Sequence, residues 1–297
     1  MAQKNRFDPF VYEKKTVLMQ RLADLVRTGH TRYMRGEISA ERAGRLADKF
    51  ARMYDCDLDK MAASRARAAG RASTRLLMWQ PEPEADRLVW FLVATPGEFP
   101  LEDASHEWRD AMSDRQRVEL GTYELVRITK PVTKAERERL QRLRHAAGDK
   151  SLPETERKKA HATLTALGRR QQAKGARGGL SWTWRYTREA NEALRLRLVQ
   201  AIRDHRDDQV RQIVREAWRT PGFAGARDQV LKLPALIKGE WKRTRSVNLA
   251  GVPETPARLG YVQRLPDAGH RLSVVCRRLA RAAAESAAPP EPVALSA

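Results

Sequence analysis

Trp182, Trp184 and Tyr186 occupy alternate positions of Leu180-Ser-Trp-Thr-Trp-Arg-Tyr186. In a strand, alternate side chains share one face, so the three rings line one side while Ser181, Thr183 and Arg185 line the other. Aromatic rings on an open sheet face can stack unpaired bases, each stack contributing about 1–3 kcal/mol. The same rings beneath a helix are core, which a sheet of this size needs on at least one face. Lys174, Arg177 and Arg185 stand beside them and bring the charge a phosphate backbone would meet.

That charge is part of a larger pattern. The 297 residues hold 57 Lys and Arg against 37 Asp and Glu, a formal net charge of +20. The segment from Lys130 to Arg177 alone has 14 basic residues and five acidic ones, a surplus of nine. Arg137, Arg139, Arg142, Arg144, Arg157, Lys158, Lys159, Arg169 and Arg170 would line the outer faces of two helices there. A concentrated positive field attracts polyanions and releases their counterions on binding. Such contacts position a nucleic acid without reading its sequence. The plainer reading is a solvated face with i,i+4 pairs to Glu136, Glu138, Glu154 and Glu156, but the acids are too few to neutralise the bases. A second basic edge is Lys238-Gly-Glu-Trp-Lys-Arg-Thr-Arg245, where cations near a helix C-terminus also complement its dipole.

Motifs with sharper chemistry are incomplete. His106-Glu-Trp-Arg109 has the His-x-x-Arg spacing of tyrosine recombinases, but Tyr123 follows only 14 positions later and no second arginine stands upstream in a matching context. Asp55-Cys-Asp-Leu-Asp59 alternates carboxylates like a calcium loop, but Lys60 and Ala66 replace the required Gly and Glu. Its aspartates suit helix capping better. The six histidines never form a His-x-His or His-x-x-x-His pair, and no phosphate loop, dinucleotide glycine pattern or Gly-x-Ser-x-Gly occurs. Glu98, Glu102, Asp103 and Glu107 form the one acidic cluster suited to a dispersed metal site. Cys56 and Cys276 are too few and too distant for a disulfide framework and read as reduced core thiols. No motif calls for a cofactor.

The elements that would position these residues read as follows. Helices are expected over 9–28, 39–54 and 57–70. Strands follow at 75–79 and 88–94, the second a continuous apolar run suited to a centre covered on both faces. A helix over 102–112 and a strand over 123–129 precede the basic segment, whose two helices span 133–147 and 153–173, broken by Gly148 and Pro153. The aromatic strand comes next, then helices over 188–205, 207–219 and 225–244, a short strand over 258–265 and a helix over 270–284. Pro289, Pro290 and Pro292 mark a disordered tail from 286.

The chain is therefore expected to be an α+β, helix-rich protein with one small mixed sheet of about four strands flanked by helices, interrupted by a basic helical hairpin. Its units are an N-terminal helical part, 1–72, a sheet core, 73–187, carrying the insert at 132–176, and a C-terminal helical part, 188–285. No apolar run approaches the roughly 20 residues that span a bilayer, and the start of the chain lacks an apolar signal core, so a cytoplasmic protein is expected. In texture it resembles accessory proteins of bacterial plasmids and conjugative elements, a likeness of composition that transfers no residue. The leading expectation is a non-enzymatic nucleic-acid-binding protein, for DNA in preference to RNA. The alternatives are a basic adaptor that binds an acidic protein through its C-terminal helices, and a metal-dependent nuclease using the acidic cluster.

Overall fold

A computed structural model describes residues 7–101, 106–128, 134–149, 151–176, 181–245, 249 and 251–287, excluding the side chains of 134–137, 168–176, 181, 286 and 287. The expected tail from 288 onward lies outside these residues. The fold is α+β, with ten helices and nine strands among the described residues.

The principal sheet has six strands where about four were expected. It comprises β1 (Phe10–Tyr12), β2 (Arg32–Ser39), β3 (Thr74–Trp79), β4 (Arg87–Ala94), β5 (Arg109–Asp110) and β9 (Gly269–Arg271), in the order β5-β2-β4-β3-β1-β9. Among its neighbouring strands only the β1–β3 pair is parallel. β4 sits at the centre, as its apolar run requires, with Leu88, Phe91, Leu92, Val93 and Ala94 buried. One face presents Tyr12, Tyr33, Leu77, Phe91 and Val93 to helix α1 (Lys15–Arg27). The other presents Val11, Met34, Leu76, Met78 and Leu92 to Ala43, Ala47 and Phe50 of α2 (Ala40–Tyr54) and to Leu272 and Val275 of α10 (Leu272–Ala287). The sheet draws strands from all three segments into which composition divides the chain. Helix α3 (Lys60–Ala68) lies between α2 and β3 in the chain.

Four expectations change here. The predicted first helix begins later, because Phe10–Tyr12 pairs as β1 between β3 and β9. β2 was not expected at all: it has few apolar residues, and its eight-residue pairing with β4 makes it a strand. Gly36 faces Trp90 across that pair, and a Cβ there would lie 2.6 Å from the indole, so the glycine makes room for the ring. The expected helix at 102–112 is not formed over 106–112. Residues 109 and 110 pair with β2, and the Asp110 carboxylate accepts the Met112 N–H at 2.8 Å, favouring a turn over a helix. Residues 258–265 form no strand. They run as a strap over α1, where Gln20 bonds the Gln263 carbonyl at 2.7 Å and the Leu265 N–H at 3.0 Å.

A second, antiparallel sheet contains β6 (Glu119–Leu120), β7 (Tyr123–Ile128) and β8 (Ser181–Tyr186). Helix α1 packs against β1 and β3 of the large sheet and β8 of the small one, so it fills the space between them. The basic insert, α4 (Lys134–Gly148) and α5 (Glu154–Ala176), joins β7 to β8. Helices α6 (Arg188–Arg203), α7 (Asp207–Trp218), α8 (Ala224–Val230) and α9 (Leu233–Thr244) follow. They share a core of Leu198, Ile202, Val210, Ile213, Leu233, Ile237 and Trp241. No helix among the described residues is long and apolar enough to cross a membrane.

Candidate nucleic-acid interface

The hairpin is built by its turn and its seam. Gly148 ends α4, and Asp149 then accepts bonds from the Ser151 hydroxyl at 2.6 Å and N–H at 2.9 Å. These bonds hold the Asp149 carboxyl below the usual range. Pro153 offers its carbonyl to the N–H groups of Glu156 and Arg157, starting α5. Leu140, Leu143, Leu164 and Leu167 are half-buried and Ala160 is buried, because the two helices pack on each other. Among the described residues, neither makes more than marginal contact with another element.

The cations lie outside that seam. Arg139, Arg142, Arg144, Lys158 and Lys159 are exposed. Lys158 pairs with Glu154 at 2.8 Å, but both side chains are mostly in solvent, so the pair contributes little. Arg139, Arg142, Arg144 and Lys159 have no ion pair with a described residue. Arg157 differs: it is half-buried, and its Nε has no hydrogen-bond partner. The side chains of Arg137, Arg169, Arg170 and Lys174, and the whole of Arg177, lie outside the described residues.

The aromatic strand turns inward, which corrects the stacking platform. Trp184 is fully buried, paired with Leu125, and its indole N–H donates to the Met19 carbonyl of α1 at 2.7 Å. It therefore has no ring face left for a base. Trp182 and Tyr186 are half-buried against the same core. Tyr186 stacks on Tyr123 at 4.9 Å, and both hydroxyls meet Thr220. Burial pushes the Tyr123 phenol upward. The free edge of β8 is closed by α8: Gln229 accepts the Tyr186 N–H at 2.8 Å and donates to its carbonyl at 3.2 Å. Gly225 comes so near that a Cβ would lie 2.8 Å from the Trp184 carbonyl oxygen. Arg185 is held as well. Its Nε lies 2.6 Å from buried Glu124, which Arg117 also contacts at 3.0 Å.

The other motifs resolve into structural parts. His106 bonds the buried Tyr54 hydroxyl and faces Lys49 Nζ at 3.2 Å. Asp59 caps α3 by accepting the Ala62 N–H at 2.7 Å, and Asp55 ends α2 at φ 51°. Of the acidic cluster, Glu98 and Glu107 are exposed while Glu102 and Asp103 lie outside the described residues. Among the described residues no group of three or more His, Cys, Asp or Glu side chains is placed to hold a metal ion. Along the second basic edge, Arg243 pairs with Glu240 and Arg245 with Asp207, whereas Lys238 and Lys242 stay exposed.

One feature was missed by sequence reasoning. Arg211, Arg215 and Arg219 recur every four residues along α7 and its C-cap, beside a cleft of about 650 Å³. The spacing was visible, but the opposite wall, Gly251 to Pro256, is irregular and carries no signal. Comparison with known proteins adds no name to this geometry: no family model, curated protein or solved structure matches the chain.

Proposed function

We propose that this is a non-enzymatic nucleic-acid-binding protein, with DNA preferred to RNA, that grips phosphates through the α4–α5 hairpin. The observation that carries the reading is the outer surface of that hairpin. Arg139, Arg142, Arg144 and Lys159 project into solvent without ion pairs among the described residues. Unpaired cations on a self-packed projection are free to replace condensed counterions along a phosphate backbone. The surplus of nine positive charges in the segment gives that surface a long-range attraction. The same composition supports a role as an accessory protein of a bacterial mobile element.

The proposal gives the sheets a supporting role: they hold the two ends of the insert on β7 and β8. The adaptor alternative has less behind it. Exposed large apolar residues within 188–244 are Leu196 and Leu231, one on α6 and one after α8. Single apolar side chains of this kind are ordinary surface features. The test is binding of labelled single-stranded DNA, duplex DNA and a structured RNA across a salt series. The expected result is binding strongest for DNA that weakens steeply between about 50 and 200 mM salt. Affinity for all three that does not change with salt contradicts the proposal.

A further inference from the structure

The α7 cleft combines three arginines with an apolar floor. Arg211, Arg215 and Arg219 line one side, and Val214, Trp218, Val252, Pro253 and Pro256 supply apolar surface. Residues four apart on a helix rise about 6 Å, so the guanidinium groups form a row along the cleft. Arg211 is engaged by Asp208 at 2.9 Å. Arg215 and Arg219 are exposed and have no side-chain partner among the described residues. Glu254 is the single acid in the lining, so the cleft remains positive. Trp218 is half-buried, and its indole Nε1 is buried without a hydrogen-bond acceptor.

Cations in a row beside an apolar floor with an aromatic ring match the chemistry of a strand with unpaired bases. The phosphates need the charge, the base needs a flat apolar surface, and base edges carry acceptors. We propose that this cleft takes one unpaired nucleotide of a single-stranded nucleic acid. Its base lies against Val214, Trp218 and Val252, and its flanking phosphates lie on Arg215 and Arg219. The inference rests on the nucleic-acid reading above and adds to it a second contact and a preference for single strands. A base paired within a duplex cannot enter such a cleft without being flipped out.

The test compares wild type with three variants: Arg215→Gln/Arg219→Gln, Trp218→Phe, and a hairpin variant with Arg139, Arg142, Arg144 and Lys159 changed to Gln. Each is titrated with a labelled oligo(dT), a duplex of equal length and a labelled Glu/Leu-rich peptide, and thermal melts verify folding. Trp218→Phe keeps an aromatic ring but makes the flat surface smaller and removes the N–H donor. The expected result is at least about tenfold weaker oligo(dT) binding for the double arginine variant and a smaller loss for Trp218→Phe, with duplex binding nearly unchanged in both. Unchanged oligo(dT) binding in both cleft variants, alongside a loss in the hairpin variant, overturns the cleft assignment and leaves the hairpin reading standing. Equal losses for single strand and duplex in the double arginine variant overturn it in favour of unspecific phosphate contact. Failure of wild type to bind either oligonucleotide overturns both readings. Peptide binding that the double arginine variant loses and oligo(dT) does not displace overturns the cleft assignment in favour of an acidic protein partner.

Discussion

Trp184 ties β8 to α1: its ring lies in the core with Leu18, Leu22 and Leu125, and its N–H is spent on the Met19 carbonyl. Trp184→Ala is expected to destabilise the fold by about 3–5 kcal/mol, whereas Trp184→Phe keeps most of the apolar contact. The Phe variant loses the bond to the Met19 carbonyl, which keeps its partner within α1, at about 0.5–1.5 kcal/mol. Urea unfolding checks both, and if Trp184→Ala melts like wild type, the ring is not core. His30 sets a pH dependence. It is buried after α1, with Nδ1 3.2 Å from the Leu25 carbonyl and no partner for Nε2. Burial lowers its pKa from 6.5 to about 4, with Arg75 and Arg67 adding to the fall. The unfolded chain therefore binds this proton more readily than the fold does. The stability tied to the neutral ring is complete above about pH 6.5 and is lost as pH falls toward 4, a loss of order 3 kcal/mol. His30→Leu should flatten the urea midpoint between pH 7 and 4.5, and a variant with the same pH profile as wild type would remove His30 as the cause.

At the scale of elements, self-packing of the α4–α5 hairpin predicts that the fold stands without it. Replacing residues 133–176 by a short Gly/Ser linker is expected to keep the melting temperature within a few degrees of wild type and to abolish binding of duplex DNA. A linker variant that fails to fold would show that the insert supports the sheets. How far the elements were readable follows from where their stabilising contacts lie. β4 announces itself because both of its faces are buried, and the hairpin because charge and a thin leucine stripe coincide with Gly148 and Pro153. β2 has no such pattern: Arg35 and Glu37 face solvent, Gly36 yields to Trp90, and pairing with a strand about 50 residues away creates it. The aromatic strand was legible as a strand, but its covering was not. That depends on Met19 and Gln229, 165 and 43 residues away from the strand residues they bond. The α7 cleft was half legible, since its arginine row is local and its far wall is not.

For the whole molecule, the core takes up Trp184 of the aromatic strand, and the cations of the hairpin are left outside. The net charge of +20 makes the account a statement about electrostatics, so its dependence on salt is the direct probe. The decisive measurement is the slope of log affinity for duplex DNA against log salt, for wild type and the hairpin variant with Arg139, Arg142, Arg144 and Lys159 changed to Gln. The account predicts a steep wild-type slope that falls by roughly 0.9 for each phosphate contact removed, with both proteins melting alike. Equal slopes for the two proteins would contradict it, because the hairpin cations would then release no counterions and the charge would be a solvated surface.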